Sequence, residues 1–243
     1  MVGRTPSVLV ARLAAAAAIG TGLGVYYATH ESLPDVSNWG DVAVISLGLI
    51  PAVFALVYLV LPFWRAPVLQ LFLVGGALIV LAVVLGLAGL DTASDFAKLG
   101  ATTAIAFWFL NFFEAMSWVV IVALIVPWVD AYSVWRGPTS NIVHHHGHVF
   151  NWLSFAFPLP GENNDAQLGV PDLLFFALFL ASTARFALRT RLTWLALTLS
   201  FGGTIAIAVA WDQPGLPALP LLSLGFLVTN ADLLYRRLRP ERT

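Results

Sequence analysis

Two aspartates stand within otherwise apolar stretches of the chain, Asp130 in VPWVDAYSV and Asp172 in LGVPDLLFF. If these stretches cross a bilayer, each charged side chain costs about 2.5–3.5 kcal/mol on insertion scales, so it is expected to face a cavity or a partner. Two carboxyls within a few Å share one proton, and one then acts as a base while the other acts as an acid. Such a pair can activate water for attack on a peptide carbonyl and protonate the oxyanion. For either aspartate alone, a solvated helix cap is an equally good interpretation.

A proline-containing segment near the carboxyl end is the third candidate element. It consists of Pro217, Ala218, Leu219 and Pro220. Proline has no amide donor, so within a helix it leaves a backbone carbonyl unpaired. In a bilayer such backbone is tolerated only where it lines a cavity or is buried in protein. Taken alone, these prolines fit a loop and the first turn of a helix better, since proline is common there.

Composition predicts that membrane helices carry these residues. Of the 243 residues, 59% are hydrophobic and 10% are charged, and the mean hydropathy is +0.86. A soluble domain carries about 25% charged residues to cover its surface. The net charge is -1 and the basic residues are scattered, which argues against a nucleic-acid partner. The absence of cysteine excludes disulfides, thiolate metal sites and cysteine nucleophiles, and we expect neither a metal nor a cofactor.

Eight apolar runs are long enough for membrane helices, because a helix needs about 20 residues to cross a hydrocarbon core of about 30 Å. These runs lie at 8–28, 42–61, 68–90, 96–112, 115–135, 172–188, 192–211 and 216–238. The predicted fold class is an all-α polytopic membrane protein, a single transmembrane domain over 1–243 with about eight spans, or nine. We expect scaffold helices over 1–112 and the chemistry over 113–243, with 136–171 as a connecting loop. The first run also resembles a secretory signal, but we favour a retained span because the rest of the chain is equally apolar.

Basic residues predict the orientation, since Lys and Arg favour the cytoplasmic side of a membrane. With eight spans, every group of arginines falls on one side: Arg4, Arg12, Arg65, Arg185, Arg189, Arg191, Arg236, Arg237 and Arg239. Merging the fourth and fifth spans would move the last group to the other side, so we expect a tight turn at 111–114. Both termini are then cytoplasmic and the 136–171 loop is outside. This arrangement predicts similar depths for Asp130, Asp172 and the proline segment.

These three elements, in this order, resemble the GxGD intramembrane aspartyl proteases, the family of presenilin, signal peptide peptidase and their archaeal relatives. VDAYSV resembles the first family motif, GVPD at 169–172 stands in the place of GxGD, and 217–219 reads PAL. The resemblance covers residues 96 onward and implies a presenilin-like helical bundle. It implies that Asp130 and Asp172 are catalytic and that the substrates are transmembrane helical proteins or peptides in the lipid bilayer. It also implies that six residues contact substrate: Gly169, Val170, Pro171, Pro217, Ala218 and Leu219.

The family fold further implies that a substrate helix enters sideways, unwinds and pairs with backbone as an added strand. Backbone near Pro217 and part of the 147–169 loop are the expected surfaces for this pairing. The predicted orientation is similar to that of signal peptide peptidase, which implies type II membrane substrates.

Two residues depart from the family motifs and keep other functions open. Val129 stands where the family has tyrosine, and Pro171 stands where the second glycine of GxGD allows close backbone approach. A non-catalytic presenilin-like protein that binds transmembrane segments is therefore one alternative. A small proton-coupled transporter, with the carboxyls as proton ligands, is a second.

Two other polar groups receive simpler interpretations. His144, His145, His146 and His148 form HHHGH, but consecutive side chains point in different directions and no HExxH spacing completes a metal site. We interpret them as part of an exposed loop. Asp232 stands four residues before Arg236, which predicts an i,i+4 ion pair or a side chain that reaches toward the interface.

Overall fold

The computed structural model describes residues 6–136, 152–213 and 216–238. HHHGH and several arginines at the termini, including Arg4 and Arg239, lie outside the described residues. Eight helical segments and one β-hairpin make up the described chain. The helices are α1 (Pro6–Thr29), α2 (Asn38–Arg65), α3 (Val68–Leu87), α4 (Asp91–Leu110), α5 (Met116–Arg136), α6 (Val170–Arg185), α7 (Thr190–Ala210) and α8 (Leu219–Leu238). The strands are β1 (Ser154–Pro158) and β2 (Asp165–Gly169).

Among the described residues, one helix lies in each of the eight apolar runs predicted from the sequence. The predicted turn between the fourth and fifth runs is present, because α4 ends at Leu110 and α5 begins at Met116. Asn111 donates its side-chain amide to the carbonyl of Phe107, which satisfies one acceptor at the end of α4. The bounds differ where polar residues begin a helix. Thus α4 starts at Asp91, five residues before the predicted run, since an acidic residue is favourable in a first turn.

Five of the described helices are long and apolar enough to cross a membrane, namely α1, α2, α3, α5 and α7. In α3, Leu69, Val80 and Leu87 are each more than three-fifths exposed, so this helix presents an apolar face outward. Residues of this kind are unfavourable in water as a continuous surface. The architecture is mostly helical and compatible with the membrane protein that composition predicts.

The helix α2 is irregular at two places. An α-helical part over Asn38–Val44 leads into a π turn over Ile45–Leu49, then into α-helix over Ile50–Val60 and a 3-10 end over Leu61–Arg65. Pro51 explains the wider turn, because it cannot donate to the carbonyl one turn earlier. Here α7 approaches closely at Gly202, where a Cβ atom would lie 2.9 Å from that of Ser46.

The core is built around α6. Residues 176–181 of this helix are completely buried, although α6 is only 16 residues long. Phe176 stacks on Phe54 of α2 with ring centroids 3.8 Å apart, and Phe201 of α7 meets Phe54 edge-on at 5.0 Å. Phe179 stacks on Phe226 of α8 at 4.9 Å. The amino-terminal end of α6 is thereby held among α2, α4, α7 and α8.

The β-hairpin lies within the predicted connecting loop and was not predicted from the sequence. β1 and β2 are antiparallel, with Ser154 opposite Gly169 and Pro158 opposite Asp165. Gly161 in the connecting turn has φ 74°, and a Cβ atom there would lie 2.5 Å from the backbone nitrogen of Asp35. Only glycine fits this turn, since both the positive φ and the close approach exclude a side chain. β2 leads without a break into α6, so the hairpin sets the position of the first turn of α6.

The predicted pairing of Asp232 with Arg236 is wrong. Asp232 instead binds Arg189 through two hydrogen bonds, 2.6 Å from Nη1 to Oδ1 and 2.8 Å from Nη2 to Oδ2. Packing of α7 against α8 brings Arg189 to this site, where its backbone N–H also donates to the side chain of Asn230. A planar guanidinium that meets a carboxylate with both nitrogens is preferred to a single contact along one helix.

Candidate active site

Asp130 lies near the end of α5 and turns its carboxylate toward the start of α8. Its Oδ2 atom accepts the backbone N–H of Leu219, the first residue of α8, at 3.0 Å. Pro127, one turn earlier in α5, has no N–H with which to satisfy the carbonyl of Ala123. Asp130 is half-buried, whereas Trp128 and Val129 beside it are exposed. The side chain therefore belongs to the α5–α8 interface and not to the outer surface of the bundle.

Asp172 is the third residue of α6, directly after the end of β2. Its carboxylate accepts the backbone N–H of Gly169, the residue that precedes the helix. This is half of a capping box, in which a third-position acid reaches back to the amide before the helix. A Cβ atom at position 169 would lie 3.1 Å from Oδ2 of Asp172, so glycine lets the carboxylate approach the backbone.

The two carboxyls lie close enough for the charge of Asp130 to act on Asp172. Both are half-buried, and each meets the first turn of a helix, α8 for Asp130 and α6 for Asp172. A helix amino terminus carries a partial positive charge and favours an anion. The chain thus holds two interacting carboxyls at two neighbouring helix starts. This arrangement can keep one carboxyl ionised as a base while the other holds a proton.

The remaining predicted site residues lie in the same region. Ala218 and Leu219 are buried and Pro217 is half-buried immediately before α8. Leu219 is the first residue of α8, and its amide is the one bound by Asp130. Pro220, the second residue of α8, contributes no N–H. At the start of α6, Val170 donates its N–H to the carbonyl of Leu153 at 2.8 Å. Pro171 is exposed at the second position of α6. An N–H at this position has no acceptor within the helix, so its absence from proline costs no hydrogen bond.

A group of side chains that was not predicted from the sequence binds the edge of β1 that faces away from β2. Lys98 of α4 donates to the carbonyl of Ser154 at 2.9 Å and to Oδ1 of Asp95 at 2.7 Å. Oδ2 of Asp95 accepts the N–H of Ala156 at 3.0 Å. Tyr27 of α1 donates its hydroxyl to the carbonyl of Ala156 at 2.6 Å. We call Asp95, Lys98 and Tyr27 the β1 clasp. Its signal in the sequence is an acid and a lysine three residues apart in the first half of α4.

The clasp determines which edge of the hairpin is open. In an antiparallel strand the N–H and C=O of one residue point to the same side, and alternate residues point to opposite sides. Because Ala156 turns both groups toward the clasp, Phe155 and Phe157 turn theirs toward β2. Over the described residues the sheet has two strands, so the side of β2 away from β1 carries no third strand. That edge runs directly toward Asp172.

Within the described ranges, no group of three or more His, Cys, Asp or Glu side chains is placed to hold a metal ion. Asp130 and Asp172 interact with each other at this end of the bundle, and each already accepts a backbone N–H. The chemistry that these residues offer by themselves is proton transfer.

Comparison of the chain with protein-family models, with curated proteins and with solved structures found no match.

The close approach at Gly169 leads to a first prediction. In Gly169→Ala the new methyl group crowds Oδ2 of Asp172, while the backbone at φ -60° and ψ 138° suits alanine. Displacement of a reacting group by a fraction of an ångström to 1 Å costs up to about 100-fold in rate, so any activity of this pair should fall roughly tenfold or more. Turnover and thermal unfolding are measured together, and the melting temperature should change little.

Gly203→Ala is the matched control, because a Cβ atom at this position in α7 meets nothing within 4 Å. Alanine is favoured over glycine in a helix, so this variant should be slightly more stable and fully active. Equal activity of the 169 and 203 variants would show that the geometry at Gly169 does not matter to the pair.

Proposed function

We propose that this protein is an intramembrane aspartyl protease that hydrolyses peptide bonds within transmembrane helices. The observation that carries the proposal is the interaction between Asp130 and Asp172 at the starts of α8 and α6. Asp130 binds the backbone amide of the PAL segment, and its charge acts on Asp172 at the end of an open β-strand edge. The order of the motifs, VDAYSV, GVPD and PAL, supports the same interpretation through its resemblance to the GxGD proteases.

In the proposed reaction, one carboxylate takes a proton from a water molecule as the water oxygen attacks the substrate carbonyl carbon. The other carboxyl gives its proton to the carbonyl oxygen as the oxyanion forms. The tetrahedral intermediate then collapses: the C–N bond breaks, the amine nitrogen takes the proton held by the first carboxyl, and one hydroxyl of the intermediate returns its proton to the second. Because the two groups interact, the protonation states belong to the pair and not to one aspartate.

The proposed substrate-binding surface is the open edge of β2. An extended peptide can add to a sheet edge through backbone hydrogen bonds, with little demand on its sequence. The β1 clasp favours β2 for this role, since side chains already occupy the outer edge of β1. A strand added along β2 would run beside Gly169 and present its carbonyls next to Asp172. Gly169, Val170, Pro171, Pro217, Ala218 and Leu219 would then form the walls around the scissile bond.

The proposed setting is a bilayer crossed by about eight helices, with both termini on the cytoplasmic side. Composition and the five long apolar helices support this setting. The alternation of arginine groups supports the orientation. The candidate site then lies at the outer ends of α5, α6 and α8, and type II membrane proteins are the proposed substrates.

The direct test is cleavage of a model transmembrane peptide by the purified protein in liposomes, with product masses read by mass spectrometry. We expect cuts within the apolar segment of the substrate, near the depth of the site. A substrate stiffened by leucines should be cut more slowly than one that contains helix-weakening glycines, because the segment must unwind. Absence of cleavage from every substrate, in a preparation that is folded and monodisperse, would contradict the proposal.

A specific observation also supports a second candidate, a non-catalytic protein that binds transmembrane segments. Each carboxyl already caps a helix start, and Pro171 fixes the backbone where the family has a flexible glycine. In this case the open β2 edge would bind a substrate helix without hydrolysis. Equilibrium binding of a fluorescent transmembrane peptide, without product formation, is the expected result.

Restoring the family residues distinguishes the two candidates and forms a second prediction. In Val129→Tyr/Pro171→Gly the family motif is complete, and Val129 is 60% exposed, so a tyrosine fits without repacking of the core. If the natural protein is a protease, cleavage should rise by roughly tenfold or less, which corresponds to about 1.4 kcal/mol of transition-state stabilisation. If it is a non-catalytic binding protein, cleavage should be absent in the wild type and present in the double variant. Loss of proline should lower stability by about 1 kcal/mol, measured as a control.

A further inference from the structure

A cavity lies at the opposite end of α6 from the candidate active site. Its volume is about 490 Å³, and it is bounded by the start of α1, the end of α2 and the turn between α6 and α7. Four arginines line it: Arg12, Arg65, Arg189 and Arg191. No acidic side chain is among the described residues that line it. The cavity is therefore an open basic pocket assembled from distant parts of the chain, with Arg12 half-buried and the other three arginines exposed.

Three of the four arginines, Arg12, Arg65 and Arg191, form no ion pair with a carboxylate in the described part of the chain. Arg189 is paired with Asp232, and this pair forms a neutral wall. Arg12 contacts the carbonyl of Leu59 at 3.4 Å and lies over the ring of Tyr58, 5.7 Å from its centroid. Arg65 lies over the ring of its neighbour Trp64. Aromatic rings and a carbonyl stabilise a cation only in part, so the positive charge of the cavity is not neutralised by the described protein.

The position of Arg12 increases this imbalance. It lies within α1, whose apolar segment begins at Val8, and it is half-buried. A charged side chain in such a helix is costly and is usually associated with a partner or a water-filled site. Its guanidinium points to the cavity and not to a described acid. The cost of placing it there is offset when an anion occupies the cavity.

The wall formed by the α6–α7 turn adds a second source of positive potential. Arg189 precedes the 21-residue helix α7, and its own side chain does not cap the helix, although the side chain of Asn230 accepts its backbone N–H. The first residues of α7, Thr190 and Arg191, line the cavity, so the positive end of the helix faces it. The turn itself is shaped closely. Ala187 has φ 50°, a conformation that favours glycine, and the hydroxyls of Thr183 and Thr190 are hydrogen-bonded at 3.0 Å.

We propose that this cavity binds a phosphate-bearing anion, with the headgroup of an anionic phospholipid as its source in the membrane. A guanidinium binds phosphate oxygens with two parallel N–H donors, and three unneutralised guanidiniums from separate elements match a group with several such oxygens. Leu61, Leu192 and the half-buried Trp64 provide an apolar border for the glycerol and first methylenes of a lipid. The cavity lies at the end of the bundle that its arginines predict to be cytoplasmic, where anionic lipids bind basic pockets between helices.

The experiment compares lipid retention by wild-type protein and arginine variants. The protein is reconstituted in phosphatidylcholine nanodiscs with and without phosphatidylglycerol, and bound lipid is measured by native mass spectrometry after transfer to detergent. We expect wild type to retain phosphatidylglycerol over phosphatidylcholine. Arg12→Gln and Arg191→Gln should each weaken retention about tenfold, as expected for the loss of one charge-assisted hydrogen bond. Arg12→Lys should have an intermediate effect because it keeps the charge but not the paired donors.

Arg236→Gln is the matched control, since it removes one exposed arginine from α8, on the predicted cytoplasmic side but outside the cavity. A second arm measures binding of inorganic phosphate and glycerol phosphate by thermal unfolding in detergent. A shift that depends on Arg12 and Arg191 would support the site and assign it to a soluble phosphate. Equal lipid retention and equal thermal shifts for wild type, the cavity variants and Arg236→Gln would overturn the proposal. Thermal unfolding without added anion identifies any variant that fails to fold.

Discussion

Replacement of either Asp130 or Asp172 by asparagine is expected to abolish cleavage of a transmembrane substrate. The proposed reaction needs one carboxylate as a base and one carboxyl as an acid, and a carboxamide can be neither. Residues that act as a unit lose most of the rate together, so each single variant should fall by about four orders of magnitude and the double variant little further. Turnover of the model peptide in liposomes, measured by product mass, checks this expectation.

These variants should remain folded, so a loss of cleavage can be assigned to catalysis and not to unfolding. In Asp130→Asn the carboxamide oxygen can still accept the N–H of Leu219, and in Asp172→Asn it can still accept the N–H of Gly169. The melting temperature should therefore change little. Asp212→Asn is the matched control, because Asp212 is an exposed acid between α7 and α8 with φ 51°, a conformation that asparagine tolerates well. This control should keep full activity.

The pH profile gives a readout that a purely structural role would not produce. Activity of the wild type should fall at low pH, where both carboxyls are protonated and no base remains. It should also fall at high pH, where both are ionised and no acid remains. Undiminished cleavage by both asparagine variants, or wild-type activity that does not change between low and high pH, would contradict the two-carboxyl mechanism.

Lys98→Met is expected to cause the largest loss of stability among single changes in the described polar groups. Lys98 and Asp95 are mostly buried, with side-chain exposures of 14% and 8%, and their N–O distance is 2.7 Å. Removal of one partner leaves a buried carboxylate without a counter-ion, which typically costs about 3–5 kcal/mol. The carbonyl of Ser154 also loses its bond from Lys98. Unfolding in detergent by denaturant titration provides the measurement.

The double variant Asp95→Asn/Lys98→Met tests the physical cause of that loss. Its carboxamide can still accept the N–H of Ala156, but no buried charge remains. We therefore expect the double variant to be more stable than Lys98→Met alone. Asp232→Asn is a control for an exposed ion pair, and its effect should be much smaller since solvent screens that pair. If Lys98→Met were as mild as Asp232→Asn, the β1 clasp would not be an important structural element.

The same variants test whether the β1 clasp affects the candidate active site. If β1 holds the hairpin in place, its loosening should move β2 and the start of α6. Under conditions where Lys98→Met is still folded, cleavage should therefore fall more than the fraction unfolded explains.

Several features were predictable because they depend on local sequence. The polar group Asn111 to Glu114 interrupts an apolar run, and the described helices α4 and α5 are separate at this point. Asp172 follows Gly169 at a spacing typical of a helix start, and it occupies the third position of α6. Asp130 and the PAL segment were expected to lie at one depth because alternate helices run in opposite directions. These features do not depend on which helices touch.

The hairpin and its clasp were not predictable by these means. β1 and β2 are five residues each and lie in a loop rich in Gly, Pro and Asn, without a long alternating pattern. Their partners are distant in sequence: Lys98 is 56 residues from Ser154, and Tyr27 is 129 residues from Ala156. The wrong pairing of Asp232 has the same origin. A helical spacing rule identifies Arg236, but the packing of α7 on α8 brings Arg189, 43 residues away.

The sequence by itself predicted the helical character of the chain and a helix in each of the eight apolar runs, and it identified Asp130 and Asp172 as candidates for proton exchange. These predictions follow from the length of the apolar runs and from side-chain chemistry, which each segment carries wherever it lies. Only the tertiary structure decided that Asp130 meets the amide of Leu219, that β2 has no third strand beside it among the described residues and that four arginines line one cavity. Those outcomes depend on which helix faces pack together, and that is settled by the shapes of side chains far apart in the chain.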